Sequence, residues 1–169
     1  MVAQATLGVL RSEAYTGTDH LEYESTALDV SPAAVMAALI IDGLELASSP
    51  ADGEEWPLFI GFMPQNQSSA LAIYNTPGTI DGRSSDNTVV QHYGIQVRVN
   101  DRDYETGYSK LSGVLSSMDQ IKSANVERDS VNYNVVSITR TSAIIPLGLD
   151  EKRIFSFTSN VIVAIKQEI

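Results

Sequence analysis

Apolar and polar positions alternate most clearly between residues 89 and 100. Every second residue from Val89 to Val99 shares one face of a predicted strand. After Asp101 the period changes to that of a helix, whose apolar stripe consists of Tyr104, Tyr108, Leu111, Val114, Leu115, Met118 and Ile121. Asp103 stands where a capping carboxylate would begin that helix. The apolar stripe of the helix needs a sheet face to cover it. The pattern therefore predicts that this strand and helix pack together and form the structural scaffold of the fold.

A second helix is predicted ahead of this unit, from Ser31-Pro32 to Ser48-Ser49-Pro50. Ser31 offers a capping hydroxyl, and Pro32 suits the first helical position. The residues between these signals carry a broad apolar surface, made of Ala34, Val35, Met36, Ala38, Leu39, Ile40, Leu44, Leu46 and Ala47.

Four further strands are predicted, over residues 56–63, 70–74, 131–140 and 153–166. Residues 64–69 suit a hairpin connection between the first two, and residues 123–130 read as a polar turn. Strands outnumber helices and short loops join them. The chain is therefore predicted to be α+β, with a mostly antiparallel β-sheet and two α-helices packed on one face. Residues 31–169 form one predicted domain, and residues 1–30 are either an N-terminal arm or extension that orders on a partner, or an edge strand.

Two connections are predicted to face partners. Residues 75–88 contain a proline, two glycines and many small polar residues, and loops of this length in compact domains are often functional. Residues 141–152 combine apolar side chains with charges, as in a hairpin tip that packs on something outside the fold. The candidate partner or subunit contacts are Pro77, Gly78, Asp81, Arg83, Asp86, Ile144, Ile145, Leu147, Asp150 and Glu151.

Composition narrows the class of protein. The 169 residues, 43% hydrophobic and 19% charged, suit one globular domain. The sequence shows neither an apolar run long enough to cross a membrane nor the pattern of a secretory signal, so we expect no membrane partner. The absence of cysteine excludes disulfides and thiolate metal sites. A net charge of −10 disfavours adhesion to nucleic acid, but it suits an acidic wall along which DNA slides without sticking.

Catalytic chemistry finds no support in the residues. His20 and His92 are the only histidines, and His92 shares a strand face with polar residues that suits solvent or an interface. Asp101, Asp103 and Glu105 lack the spacing of a calcium loop and are explained by helix capping. Neither GxGxxG nor GxxxxGK[ST] occurs. The sequence therefore predicts no enzyme, no metal and no cofactor.

Three short patterns carry a resemblance to a known family. They are an apolar strand ending in Tyr74 and a predicted TPG-type turn (76–78), a strand of the form Q-apolar-R-apolar (96–99), and a helix that starts near Asp103-Tyr104 with Gly107 behind it. In these patterns the chain resembles the minor capsid or tail-completion proteins of long-tailed bacteriophages, which are taken to be tail terminators. The first 30 residues look like an extension on the family pattern.

The resemblance implies a subunit of a homohexameric ring that closes the top of the tail tube and meets a head-side connector or stopper protein. DNA would cross the ring's lumen without sequence-specific binding, and Asp81, Asp86, Asp150 and Glu151 are candidates to face it. The implied location is the virion tail at the head–tail junction, after synthesis in the host cytoplasm. Two alternatives remain open. One is a head–tail connector or tail tube subunit, and the other is a small-molecule-binding enzyme that uses residues 75–88 as a lid.

Overall fold

The computed structural model describes residues 28–65, 67–83 and 89–167. Within these ranges the chain forms two helices and seven strands in an α+β arrangement, as predicted. In chain order the elements are α1 (Pro32–Ala38, continued by a π-helical turn over Leu39–Gly43), β1 (Leu58–Ile60), β2 (Ala70–Arg83), β3 (Val89–Asp101), α2 (Tyr104–Asp119), β4 (Ala124–Arg128), β5 (Val131–Arg140), β6 (Ile145–Leu149) and β7 (Phe155–Gln167).

The strands form one curled, mostly antiparallel sheet in the order β1-β2-β3-β7-β5-β4. Only β1 and β2 run parallel among the pairings of the described strands. β7 pairs with β3 along one edge. Its other edge pairs first with β5 and then, nearer the start of β7, with β6. The sheet is therefore organised around β7.

Both helices pack on the same face of the sheet. The alternation predicted for β3 is present, since Ile95, Val97 and Val99 are fully buried. Their side chains belong to one apolar cluster with the buried apolar residues of both helices and of the π-helical turn, which are Ala33, Val35, Met36, Ala37, Ala38, Leu39, Ile40, Leu111, Val114, Leu115 and Met118. The strand and the helix predicted between residues 89 and 122 thus form the central packing unit.

The first helix begins as predicted and ends early. The Ala34 N–H donates to Ser31 Oγ over 3.2 Å, and Pro32 takes the first helical position. The amide of Leu44 then donates to the carbonyl of Leu39 rather than of Ile40, which widens the last turn. Glu45 has a φ of 53°, outside the helical region, so the prediction of a helix reaching residue 47 was wrong.

The prediction of a loop over residues 75–88 was wrong for the part that the structure describes. β2 continues through Arg83, and the supposed turn at residues 76–78 is a bulge opposite β3. A Cβ on Gly78 would lie 2.0 Å from the His92 carbonyl oxygen, and one on Gly94 would lie 2.2 Å from that of Pro77. The glycines therefore serve the close approach of two strands instead of a chain reversal.

Two other connections also differ from prediction. Residues 64–69 do not close a hairpin, because β1 is parallel to β2 and the chain must cross back between them. The polar stretch 123–130 contains β4, which a two-residue turn joins to β5. Asp129 and Ser130 have φ values of 52° and 65°, as a type I′ hairpin turn requires.

A pair of glycines on α2 tests the packing of this helix on β7. A Cβ on Gly107 would lie 2.8 Å from Cε2 of Phe157, whereas one on Gly113 meets nothing within 4 Å. We expect Gly107→Ala to lower the free energy of unfolding by about 1–2 kcal/mol, because overpacking outweighs the gain in helix propensity. Gly113→Ala should raise it by about 0.5–1 kcal/mol. Urea denaturation measures both, and equal effects at the two sites would contradict the packing described.

Candidate functional site

β6 is an edge strand with exposed apolar side chains. Its one partner among the described residues is β7. Ile145, Leu147 and Leu149 keep 44%, 52% and 52% of their surface exposed. Pro146 lies between the first two, and the register with β7 is interrupted between Pro146 and Gly148. We call Ile145, Leu147 and Leu149 the β6 ridge. Sequence reasoning identified two members of this ridge and missed Leu149.

The turn after β6 is built by Asp150. Its carboxylate oxygen Oδ1 accepts the backbone N–H groups of Lys152 and Ile154 over 2.9 and 2.8 Å. Glu151 beside it is exposed. Arg102, Lys152 and Arg153 line a shallow depression here together with Leu149 and Phe155. Positive charge thus collects next to the ridge, in a chain whose net charge is −10.

Ile144 differs from the ridge that follows it. Its side chain is half-buried and packs against the main core cluster. The three apolar residues that sequence reasoning grouped as contacts therefore have two environments.

The remaining predicted contacts lie in the β2–β3 hairpin. Pro77 and Gly78 are exposed at the bulge, and the backbones of Asp81 and Arg83 continue β2. Asp86 lies outside the described residues. Ten residues of β7, Phe155 to Ala164, pair with β3 between the turn after β6 and the outer part of this hairpin. At strand spacing they separate the two groups of predicted contacts by roughly 30 Å.

An apolar groove lies on the other flank of α2, which sequence reasoning missed. Leu46, Trp56, Glu105, Thr106, Ser109, Lys110, Gly113 and Val114 line its volume of about 560 Å³. We call it the Trp56 groove. The Nζ of Lys110 stands 5.1 Å from the centroid of the indole ring. Partial burial lowers the pKa of Lys110, and the charge of Glu55 acts in the opposite direction. The one signal in the sequence was the single tryptophan directly after an acidic loop.

Apolar side chains are also exposed at the β1 end of the sheet. Ile60 and Phe62 keep 38% and 57% of their surface exposed, and the Phe62 ring packs 5.3 Å from that of Phe59. Residues 56–63 were predicted to be a buried strand, but β1 has only three residues and the chain leaves the sheet at Gly61.

The groups considered for catalysis do not form a site. His92 and Asp103 stand near opposite ends of β3, roughly 30 Å apart at strand spacing. The proposed lid over residues 75–88 is a β-strand as far as Arg83. Among the described residues, no three histidine or carboxylate side chains are placed to hold a metal ion.

The carboxylates after β3 hold the start of α2. Asp101 accepts hydrogen bonds from Ser69 Oγ and from the Asp103 N–H over 2.6 and 2.7 Å. Asp103 in turn accepts the Thr106 N–H over 2.8 Å, which confirms it as the N-cap. That hydrogen bond lowers the pKa of Asp103.

The face of the sheet opposite the helices is polar. Gln96 Nε2 donates to Asn160 Oδ1 over 3.3 Å, and Arg98 Nη2 donates to Ser156 Oγ over 3.0 Å. Arg98 is thus held by a neighbouring strand. In the described part of the chain, no helix is both long and apolar enough to cross a membrane.

The chain matches a known protein family and resembles a solved structure. A model of a family described as bacteriophage tail terminator proteins matches residues 28–167. A solved chain from the virion of a native gene transfer agent particle has a TM-score of 0.48 to this fold at 11% identity. The alignment covers 80% of this chain and 98% of that one. No curated protein sequence matches.

The fold and its exposed apolar edges define a subunit that buries surface against other proteins. Since the family match extends over most of the chain, the protein belongs to the bacteriophage tail terminator family. It is therefore a structural protein of a phage tail, and the family is not one of enzymes.

Ile144 and Leu147 are expected to respond differently to the same substitution. Ile144→Ser removes a side chain that packs on the core and should lower the free energy of unfolding by about 1–3 kcal/mol. Leu147→Ser should change it by less than about 0.5 kcal/mol, since half of that side chain is already exposed. Denaturant unfolding of the dilute protein measures both. A large loss of stability for Leu147→Ser would mean that the ridge belongs to the core of the subunit.

Proposed function

We propose that the protein is a tail terminator whose copies form a homohexameric ring on the end of the tail tube. The ring joins the tube to a head-side connector or stopper protein, and DNA passes through its lumen. The observation that carries the proposal is the exposed apolar β6 ridge on a subunit that belongs to this family. Exposed apolar surface of this kind marks a contact with another protein.

The position of the apolar surfaces favours a ring over a two-fold dimer. Ile60 and Phe62 lie at the β1 end of the strand order, and the ridge lies beyond β7, towards the other end. Contact between two different surfaces of identical subunits is heterologous. Such a contact repeats from copy to copy and closes into a ring when its rotation permits.

The two groups of loop residues suit partners above and below the ring. Pro77, Gly78, Asp81 and Arg83 belong to β2 and Asp86 follows them in the sequence, while the turn with Asp150 and Glu151 stands at the opposite end of the sheet from Pro77 and Gly78, roughly 30 Å away. We assign one group to the tube protein and the other to the connector side. We propose that the ring lies at the head–tail junction of the virion and that its subunits are made in the host cytoplasm.

The charge of the subunit suits a lumen through which DNA moves. A net charge of −10 repels the polyanion, and the acids Asp81, Asp86, Asp150 and Glu151 are the candidates to line the passage. DNA therefore passes without sequence-specific binding, because sequence is read through contacts with base edges and a repelled duplex makes few of them.

The N-terminal segment is assigned to contacts within the assembly. Leu28 and Val30 pack against the core, and the Asp29 N–H donates to Gln167 Oε1 over 3.0 Å. From this anchor we propose that residues 1–30 act as an extension of the 31–169 domain that meets a partner.

The mass in solution and the length of the tails test the proposal. Six copies of the 18.3 kDa chain should give a ring of about 110 kDa by light scattering in solution. If the ring forms only on the tube, binding to isolated tube should add the same mass. A phage that lacks the protein should make tails of abnormal length, because nothing stops growth of the tube. Tails of normal length would contradict the proposal. If each tail contains many rings of the protein, the protein is a tube subunit instead. If the protein lies inside the head portal, it is a connector.

A further inference from the structure

We infer that the β6 ridge of one copy docks into the Trp56 groove of the next copy. The inference rests on the proposed ring and adds to it the two surfaces that meet. Its occupant is a second copy of this chain, and three features of the folded subunit lead to that assignment.

The first feature is the match of apolar surfaces. The ridge carries three aliphatic side chains, each at least 44% exposed: Ile145 and Leu147 at the start of β6, and Leu149 after the register shift, where it pairs with Phe155. The Trp56 groove has an aliphatic and aromatic lining from Leu46, Trp56 and Val114. Its volume of about 560 Å³ exceeds that of three leucine side chains, and apolar anchors that fill such pockets contribute most of the energy of an interface.

The second feature is the position of the two surfaces on opposite flanks of α2. On one flank the rings of Tyr104 and Tyr108 pack edge-on against Phe157 of β7, whose outer edge carries β6. On the other flank Lys110 and Gly113 face the segment that leads into β1. A subunit cannot place its own ridge in its own groove across the helix, so the contact joins two copies head to tail.

The third feature is complementary charge. The segment beside the groove carries Asp52, Glu54 and Glu55, all exposed, and Glu105 lines the groove itself. Beside the ridge stand Arg102, Lys152 and Arg153 with one exposed acid, Glu151, while the carboxylate of Asp150 accepts hydrogen bonds within its own turn. The cationic side of one copy therefore meets the acidic side of the next. Such complementarity fixes orientation and speeds encounter more than it adds affinity.

Pro146 indicates the mode of contact. A proline has no N–H to donate, so β6 is a poor template for adding another strand by backbone pairing. The ridge therefore contacts its neighbour through side chains, which is the mode that a groove between a helix and a loop accepts.

Cross-linking between two variants tests the inference directly. The chain has no cysteine, so Leu147→Cys and Gly113→Cys each create a single thiol. The two full-length variants, one carrying a mass tag, are mixed under conditions in which the wild type assembles, then treated with a short bis-maleimide. We expect covalent dimers that contain one copy of each variant. Replacing Leu147→Cys by Ser137→Cys, an exposed residue of β5 outside the ridge, should abolish them.

The outcomes separate this inference from the proposed function. If the protein assembles to the mass of the ring but gives no mixed dimers, the proposed docking is wrong and the proposed ring is unaffected. The same holds if the only cross-linked dimers contain two Leu147→Cys copies. Failure of the wild type to assemble both in solution and on isolated tube overturns both.

Filling the groove supplies a second, independent test. Gly113→Leu adds a side chain where a Cβ meets nothing within 4 Å, so the subunit should fold while the groove is blocked. We expect the concentration at half assembly to rise about tenfold or more, as for loss of an interface anchor. Ser116→Leu, an exposed position of the same helix outside the groove lining, is the matched control and should change it less than about threefold. Unchanged assembly of Gly113→Leu would overturn the inference and point to another occupant, such as the tube protein or residues 1–27.

Discussion

Hydrogen bonding along β7 is the interaction on which the rest of the subunit depends. One edge of this strand pairs with β3, and the other pairs in succession with β5 and β6. Where β5 ends, the Asn160 N–H donates to Ser142 Oγ and Ser159 Oγ donates to the Ser142 carbonyl. These hydrogen bonds give partners to backbone groups between the end of β5 and the start of β6. They hold β6 on the same edge of β7 as β5. Because β4 covers the outer edge of β5 but not that of β6, the apolar side chains of β6 remain exposed.

The charged and polar residues that were considered as catalytic or metal-binding candidates have structural roles. Asp103 accepts the N–H of Thr106, and Asp150 accepts two N–H groups of its turn. Arg98 is held by Ser156 across the sheet. Carboxylates that cap helices and close turns satisfy donors that would otherwise lack partners. The polar network of this subunit therefore fixes the shape of loops and strand ends, as an assembly component requires.

The predictable parts of the fold were those determined by neighbours in the sequence. The periods of β3 and α2, and the cap at Asp103, follow from residues at most a few positions apart. The bulge in β2 was read as a turn because Pro77 and Gly78 favour turns locally, whereas their actual constraint comes from the backbone of β3. The direction of β1 and the Trp56 groove likewise depend on contacts between distant segments, such as that between Trp56 and Lys110. The β6 ridge could be foreseen in part, since Ile145 and Leu147 stand out against a polar connection.

Pro146 has a consequence for the subunit before it meets any partner. An apolar edge strand is a hazard in a concentrated protein, since open backbone donors invite pairing with any extended chain and such pairing can propagate as fibres. In β6 the proline removes a donor at the second of five residues, and the shifted register beside it distorts the edge further. The strand can therefore keep its aliphatic side chains in water without serving as a seed for aggregation. Newly folded copies therefore stay free of aggregates, and their exposed ridge binds only a groove of suitable shape.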